Sequence, residues 1–422
     1  MNNLQTRTDQ YIQTHQAHAV ALLQAMVREP SIQGNETGVQ QVVIKKLKEL
    51  GLAVDVWDPP FDELSAHPYF VASRDTYAGS PNVVGVLKGS GGGRSLILNG
   101  HIDVVPAGDR TKWTDDPFSG AVRDGKVYGR GTTDMKGGNV SMIMAMEALI
   151  RSGIRLKGDV IFHSVIEEET GGVGTLATVL RGYKADAALI PEPTNMKLFI
   201  AQQGSMWFRV TVKGVGAHAG TRYEGISAVE KALPVYAAVM QLERDRNKNV
   251  TDPLYQSVPI PFPINIGKFN SGNWPSSVPD LAVFEGRIGV APGESMASVR
   301  ELLANTISAA CAADPWLAEH PADLEFFGGQ WLPNSVPADH PFSITVQEQF
   351  RGVYDREAIV EASPWGTDAG ILGQAGGIPG LVIGPGETKM AHYPNEYISI
   401  SAMTDAARLF ARVLMDWCGV VD

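Results

Sequence analysis

Cysteine is nearly absent from this chain. Only Cys311 and Cys418 occur among 422 residues, which is too few for a disulfide framework and is typical of a reducing compartment. The first thirty residues also lack the basic and then apolar segment that marks a secretory signal. These two absences predict a cytoplasmic protein.

Long apolar runs and an excess of positive charge are missing as well. The most apolar stretch, residues 140–150, contains Ser141 and Glu147 and is shorter than the roughly twenty residues that a membrane span needs. The chain has 46 acidic against 35 basic residues, a net charge of -11, whereas proteins that bind the phosphate backbone need a basic surface. We therefore expect no membrane and no nucleic acid as a partner.

The length and the alternation of segments predict two domains. A chain of 422 residues is longer than one hydrophobic core usually supports. From about residue 80 to 200, strand-like apolar runs alternate with helical segments, which is typical of an α/β fold with a mostly parallel, doubly wound sheet. This pattern resumes after about residue 332. The predicted sheet domain therefore comprises residues 1–203 and 332–422.

The segment 204–331 has a different order of predicted elements. Strands and helices follow one another as β-α-β-β-α-β, which is the ferredoxin-like order. The predicted elements are 206–213, 226–244, 264–269, 281–290, 296–312 and 323–327. We expect an α+β domain inserted into the sheet domain.

Imidazole and carboxylate side chains follow the predicted strands. His101, Glu168, Glu192 and His392 each come after an apolar run, and Asp134 lies in the glycine-rich turn that opens a helix. Because the carboxyl ends of strands in an open sheet meet at one edge, we expect these five side chains to converge. This ligand set suits zinc, with cobalt or manganese as alternatives. The pattern predicts a hydrolase with two divalent metal ions.

Further carboxylates stand beside these candidates. Asp103 follows His101 by two residues, so its carboxylate is expected to accept the free ring N–H of the histidine. Of the adjacent Glu167 and Glu168, one can bind metal while the other serves as general base, and the pattern alone leaves this assignment open. Glu169 is interpreted as a solvated or helix-capping acid.

The candidate residues lie in five short motifs. These are Gly-His-Ile-Asp at 100–103, Gly-Arg-Gly-Thr-Thr-Asp-Met-Lys-Gly-Gly at 129–138, Glu-Glu-Glu at 167–169, Pro-Glu-Pro-Thr at 191–194 and Ala-His-Tyr-Pro-Asn-Glu at 391–396. The motifs closely resemble the M20 metallopeptidase family, in particular its acetylornithine deacetylase and succinyl-diaminopimelate desuccinylase branch. The resemblance covers residues from about 18 to 415.

The resemblance implies a role for each metal-site candidate. Asp134 would bridge the two metal ions. His101 and Glu192 would complete one site, and Glu168 and His392 would complete the other. Glu167 would be the general base.

The inserted segment carries two more matches, Gly-Val-Gly-Ala-His at 214–218 and Gly-Arg-Ile at 286–288. The resemblance implies that His218 donates to the tetrahedral oxyanion, often from the neighbouring subunit of a homodimer formed through this lid domain, and that Arg287 holds a substrate carboxylate. A hinge histidine and a strand-face ion pair are the alternative interpretations. Asn273, Gly366 and Thr367 are further candidates for the substrate pocket.

The resemblance implies a metal-dependent deacylase or deacetylase that cleaves a linear amide bond in a small N-acyl amino acid, as part of amino-acid metabolism. A carboxypeptidase or dipeptidase is the alternative within enzymes. A non-catalytic protein that binds metal or an amino acid on the same fold is the alternative of another class. Glu167 argues against that last alternative, because a binding protein would not need a spare carboxylate beside a ligand.

Overall fold

The computed structural model describes residues 2–72 and 74–421. The chain forms two compact units. The first contains the residues up to 201, residues 334–361 and the residues from 367 onward, and the second contains residues 202–333 and 362–366. Within the described ranges, none of the helices has both the length and the apolar character needed to cross a membrane.

Helices and strands occur along the whole chain. The helices are α1 Asn2–Thr14, α2 Gln16–Arg28, α3 Thr37–Glu49, α4 Phe61–Ser65, α5 Gly137–Arg151, α6 Val173–Leu180, α7 Ala228–Asn247, α8 Met296–Ala312, α9 Pro315–Glu319, α10 Pro341–Tyr354, α11 Ala369–Gln374 and α12 Ile400–Cys418. The strands are β1 Ala53–Trp57, β2 Asn82–Leu87, β3 Leu96–His101, β4 Ala121–Arg123, β5 Lys126–Tyr128, β6 Val160–Val165, β7 Ala187–Ile190, β8 Leu198–Gln202, β9 Gly204–Lys213, β10 Ala217–His218, β11 Ile264–Ser271, β12 Ser277–Val278, β13 Leu281–Val290, β14 Asp323–Trp331, β15 Asn334–Ser335, β16 Val360–Ser363, β17 Gly380–Val382 and β18 Tyr397–Ser399.

The large sheet of the first unit is mixed. Its strands follow the order β1-β2-β6-β3-β7-β17-β8-β15. The four middle strands β6, β3, β7 and β17 are parallel, whereas β2 and β8 flank them in antiparallel pairing. Strands β3, β6 and β7 are buried along their whole length, as expected for a sheet covered on both faces. The predicted α/β fold class is confirmed.

The parallel strands place their carboxyl ends side by side. β3 ends at His101, which is paired in register with Val165 at the end of β6, and β7 runs on the other side of β3. The chain leaves β6 toward Glu168 and leaves β7 toward Glu192. Sheet topology alone thus brings three segments with candidate ligands to one edge.

A small three-stranded sheet joins two further segments. β5 precedes the turn that contains Asp134, and β18 follows the loop that contains His392. The two strands pair in antiparallel orientation, with Tyr397 opposite Tyr128. The backbone N–H of Gly129 also donates to the carbonyl of Glu396, at 2.9 Å. Residues far apart in sequence therefore lie next to each other at this point.

The second unit has the ferredoxin-like order that the sequence predicts. Strands β9, β11, β13 and β14 form an antiparallel sheet in the order β11-β13-β9-β14. Helices α7 and α8 pack on one face of it around a shared apolar core that includes Phe208, Phe284, Val235 and Leu303. Alternation of apolar residues along each strand produces this one-sided core.

One segment groups differently from the sequence-based division. Residues 362–366 belong to the second compact unit, although they follow residue 332 in the chain. Gln203 explains this grouping, because its backbone N–H donates to Ser363 and its side-chain amide donates to the carbonyl of Pro364. Gly366 also packs so closely on Trp331 that a Cβ at this position would overlap the Cβ of the tryptophan.

This packing generates a stability prediction. Gly366→Ala should destabilise the chain by about 1–3 kcal/mol, because the added methyl group overpacks a filled site. Gly267→Ala is the control, since its Cβ would meet its nearest neighbour at an ordinary distance of 3.5 Å. Thermal unfolding followed by circular dichroism compares the two. Equal Tm values for both variants would contradict the packing explanation.

Candidate metal centre

Asp134 lies between two imidazoles. Its Oδ1 is 3.2 Å from Nε2 of His101, and its Oδ2 is 3.3 Å from Nε2 of His392. His101 is buried at the end of β3, whereas His392 is half exposed in the loop before β18. Each oxygen of one carboxylate therefore faces a different histidine, which is the arrangement expected of a carboxylate shared by two cations.

Three glutamates complete the cluster. The donor atoms of His101, Glu168 and Glu192 lie within 4.8 Å of one another, as do those of His101, Asp134 and Glu169. Glu169 also approaches His392, with Oε2 3.1 Å from Nε2. The structure thus brings all five predicted ligands together and adds Glu169 to them.

Glu167, the general base that the resemblance implies, contacts three polar side chains. Its Oε1 is 2.9 Å from Nε of Arg74, and its Oε2 accepts hydrogen bonds from Gln33 at 2.9 Å and from Thr170 at 2.8 Å. The residue has a left-handed backbone conformation, with φ 64°, which turns its side chain toward Arg74. Both carboxylate oxygens are therefore engaged by other residues.

The same turn places Glu169 beside His392, whereas the sequence pattern predicts a solvated or helix-capping acid at this position. Residues Glu168–Thr170 form a 3-10 turn directly after Glu167. Asp103 holds this turn, because its carboxylate accepts the backbone N–H of Glu168 at 3.2 Å and that of Glu169 at 3.1 Å. The closest acceptor for Nδ1 of His101 is the carbonyl of Asp103, at 2.9 Å, and its carboxylate is farther away, at 3.6 Å. The carboxylate thus positions the turn, and the carbonyl orients the ring.

The negative charges of the clustered carboxylates repel one another. Burial raises the pKa of Glu168 and of Glu192 well above the usual value, and neighbouring carboxylates raise both further. Burial also raises the pKa of Glu169, followed by the nearby charge of Asp134. A divalent cation would relieve this repulsion, so the donor set fits a metal site.

The two histidines partly offset the negative charge of these carboxylates. Burial opposes protonation of His101, but the nearby carboxylates of Asp103 and Asp134 outweigh it and raise its pKa. Hydrogen bonds to Asp134 and then Glu169 raise the pKa of His392 to about 10. Both imidazoles are more easily protonated because carboxylates surround them. A bound metal ion would replace those protons.

A buried ion pair ties the two ligand-bearing segments together. One oxygen of Glu396 accepts the backbone N–H groups of Thr133 at 2.9 Å and Asp134 at 3.1 Å. The other oxygen is 2.6 Å from Nη1 of Arg130. The same guanidinium donates through Nη2 to the carbonyl of His392, at 3.2 Å. Arg130 and Glu396 therefore fix the backbone of both candidate ligands.

Sequence reasoning missed these supporting residues. Arg130 and Lys136 are charged residues inside a glycine-rich turn, and both are buried. The Lys136 ammonium donates to the carbonyls of Met26 at 2.9 Å and Glu29 at 3.2 Å, and burial lowers its pKa to about 7. Two charged residues within a glycine-rich turn are a sequence signal for such supporting roles, because a buried charge needs a partner.

The remaining candidates have separate positions. His218 is exposed in β10, and its Nδ1 accepts the N–H of Gly220 at 3.0 Å. Arg287 is half-buried on β13, burial lowers its pKa to about 10, and the described part of the chain offers it no ion-pair partner. Asn273 is exposed after β11, and Thr367 accepts the N–H of Ala369 at the start of α11.

A mixed α/β sheet that collects imidazoles and carboxylates at its strand ends, with an inserted α+β unit, is typical of metal-dependent hydrolases. The profile of peptidase family M20/M25/M40 matches residues 97–416. The chain belongs to this family, as the sequence motifs predicted, and it is a hydrolase of amide bonds.

Three similar proteins match most of the chain. An N-formyl-4-amino-5-aminomethyl-2-methylpyrimidine deformylase of Halalkalibacterium halodurans is 30% identical, covering 97% of this chain and 96% of the relative. A probable succinyl-diaminopimelate desuccinylase of Staphylococcus epidermidis is 29% identical, over 72% of this chain and 78% of the relative. A solved di-peptidase of Saccharomyces cerevisiae has a TM-score of 0.78 at 14% identity, covering 99% of both chains, and shows the same fold. M20 peptidases include dinuclear metal enzymes.

The ion pair between Arg130 and Glu396 generates a prediction about metal affinity. Glu396→Gln should weaken binding of divalent zinc by about tenfold, because the amide loses the ion pair and turns one acceptor into a donor. Calorimetric titration of the metal-free protein measures this change without relying on activity.

Glu357→Gln is the matched control. It removes an ion pair to Arg351 of the same length, 2.6 Å, in an exposed position. This control should leave zinc affinity unchanged. Equal zinc affinity in both variants would show that Glu396 does not position the ligands.

Proposed function

We propose that this chain is a metal-dependent amidohydrolase that removes the acyl group from an N-acyl amino acid. The observation that carries the proposal is the pair of overlapping donor groups around His101, with the carboxylate of Glu168 among them. The relatives support it, because both the deformylase and the desuccinylase are named for removing an acyl group.

We assign the two sites as follows. His101 and Glu192 would hold one divalent ion, Glu169 and His392 the other, and Asp134 would bridge them. Zinc suits this mixture of imidazole and carboxylate ligands best, with cobalt or manganese as alternatives. When bound, the two ions supply polarisation of the amide carbonyl and a lowered pKa for the attacking water.

Glu168 is the proposed general base in place of Glu167. Its carboxylate is buried within the cluster, whereas that of Glu167 is held by Arg74. Burial, and then the charge of Glu192, raise the pKa of Glu168, which favours a carboxylate that accepts a proton from water and passes it to the leaving nitrogen. The backbone N–H bonds to Asp103 keep this side chain directed into the cluster.

The second unit would contribute to substrate binding. Arg287 presents a guanidinium fork that matches a free α-carboxylate. His218 would donate to the oxyanion that develops on the amide oxygen. Supply of His218 by a neighbouring subunit, in a homodimer formed through the second unit, remains a prediction from the family resemblance, as does the cytoplasmic location.

A carboxypeptidase or dipeptidase is the second candidate. The guanidinium of Arg287 would accept the terminal carboxylate of a peptide as well as that of an acylated amino acid. Parallel assays with N-formyl, N-acetyl and N-succinyl amino acids and with dipeptides, after reconstitution with zinc, separate the two. Hydrolysis of dipeptides alone would replace the deacylase assignment.

The three adjacent glutamates should have separable effects. Glu168→Gln should lower kcat by about a thousandfold while both zinc equivalents remain, because general-base catalysis is lost but ligation is not. Glu169→Gln should lose one zinc equivalent. Glu167→Gln should keep both and retain most activity, because its amide can still accept from Gln33 and Thr170.

Elemental analysis and steady-state kinetics on the same preparations measure both properties. A Glu167→Gln variant with full zinc content and no turnover would return the role of base to Glu167. Loss of zinc from Glu168→Gln would make Glu168 a ligand.

Arg287 should affect substrates according to their charge. Arg287→Met should raise KM by about a hundredfold for substrates with a free α-carboxylate, because a charge-assisted fork is lost, and should leave the corresponding methyl esters almost unchanged. Arg244→Met, which removes an exposed arginine from α7, is the control. Equal changes for acids and esters would remove Arg287 from carboxylate recognition.

A further inference from the structure

The sheet of the second unit has two different faces. Along β9, the alternate residues Met206, Phe208 and Val210 are buried in the core beneath α7 and α8. Trp207 and Arg209 point to the other face, because successive side chains of a strand alternate. This second face therefore carries charged and aromatic side chains side by side.

One row of side chains across this face is fully ion-paired. Arg209 lies 2.8 Å from Glu285 and 2.7 Å from Glu325 on the neighbouring strands. Lys268 adds a third pair, 2.9 Å from Glu285. Every charge in this row has an opposite charge within contact distance.

The adjacent row has a cation without an anion. Arg287 stands opposite Trp207, and Trp207 stands opposite Phe327 on the third strand. Over the described residues, no carboxylate lies within ion-pair distance of Arg287. Because the neighbouring row shows that this face readily supplies carboxylates, the open guanidinium points to an anion that comes from outside the chain.

The ring of Trp207, next to Arg287, is held in place by its neighbours. A Cβ on Gly328 would lie 2.7 Å from Cε3 of the ring, and one on Gly329 would lie 3.1 Å from Cε2. The two glycines, at a register shift in β14, thus let the indole lie against bare backbone. Phe327 packs edge-to-face against the ring at 6.1 Å. The tryptophan is still 37% exposed, so a supported ring remains open to a ligand.

Arg287 and Trp207 are neighbours on adjacent strands. They stand directly opposite each other in register, and side chains in such a pair have Cβ atoms about 5 Å apart. An aromatic amino acid carries a carboxylate for the first and a planar ring for the second. We infer that Trp207 selects substrates whose amino acid bears a planar aromatic side chain, with the carboxylate on Arg287 and the ring against the indole. This inference rests on the proposed function and names its substrate class.

Ring stacking distinguishes the inferred binding of an aromatic side chain from binding to a general apolar surface. Two aromatic rings gain attraction from offset or edge-to-face geometry beyond the area that they bury. A saturated ring of similar size buries comparable area but lacks that attraction. The planarity of the ligand is therefore the property to vary.

A binding experiment tests the inference without catalysis. The probes are 3-phenylpropanoate and 3-cyclohexylpropanoate, titrated calorimetrically into the full chain. We expect the phenyl acid to bind about five- to tenfold more tightly, and Trp207→Leu to abolish this difference. Phe269→Leu is the control, because Phe269 is 39% exposed but stacks on Phe284 on the helix-covered face, and it should preserve the difference.

Equal binding of the two acids by the unaltered chain, or a preference that survives in Trp207→Leu, would overturn the inference. In kinetics, the ratio of kcat/KM for N-acetyl-L-phenylalanine to that for N-acetyl-L-cyclohexylalanine should fall in Trp207→Leu by the same factor. If neither compound is hydrolysed while the binding preference is present and lost in Trp207→Leu, the proposed function fails and the aromatic site stands.

Discussion

Carboxylates that repel one another are held close together at the ends of buried strands, and the first unit is organised around this constraint. Burial raises the pKa of Glu168, Glu169 and Glu192, so their ionised forms are costly without a counter-charge. Rigid parallel strands and the Asp103 hydrogen bonds to the turn keep them in place nevertheless. We propose that divalent cations offset this repulsion.

Two carboxylates next to this cluster have an arginine as their ion-pair partner. Glu396 has Arg130 at 2.6 Å, and Glu167 has Arg74 at 2.9 Å. Both pairs stand beside candidate ligands, and both use a guanidinium that the chain itself provides. The basic groups that face the central carboxylates are histidines, which are themselves good metal ligands. Glu167 and Glu396, which have an arginine partner, thus differ from the acids of the cluster that have imidazoles as neighbours.

Sequence reasoning succeeded where topology determines position. Residues that follow parallel strands must meet at one edge, so His101 and Glu192 could be located from apolar runs alone. The pattern leaves the roles within residues 167–169 open, because the left-handed conformation of Glu167 sets the direction of the side chains after it, and no composition pattern shows that turn. The grouping of residues 362–366 with the second unit has no sequence signal for a similar reason, since it depends on hydrogen bonds from the distant Gln203.

The second unit shows how charges are distributed over one face of a sheet. Arg209 has a carboxylate on each of the two neighbouring strands, whereas the described residues place no carboxylate within ion-pair distance of Arg287 on the same face. A half-buried cation without a counter-charge is costly. The position of Arg287 is therefore consistent with the proposal that it binds the carboxylate of a substrate.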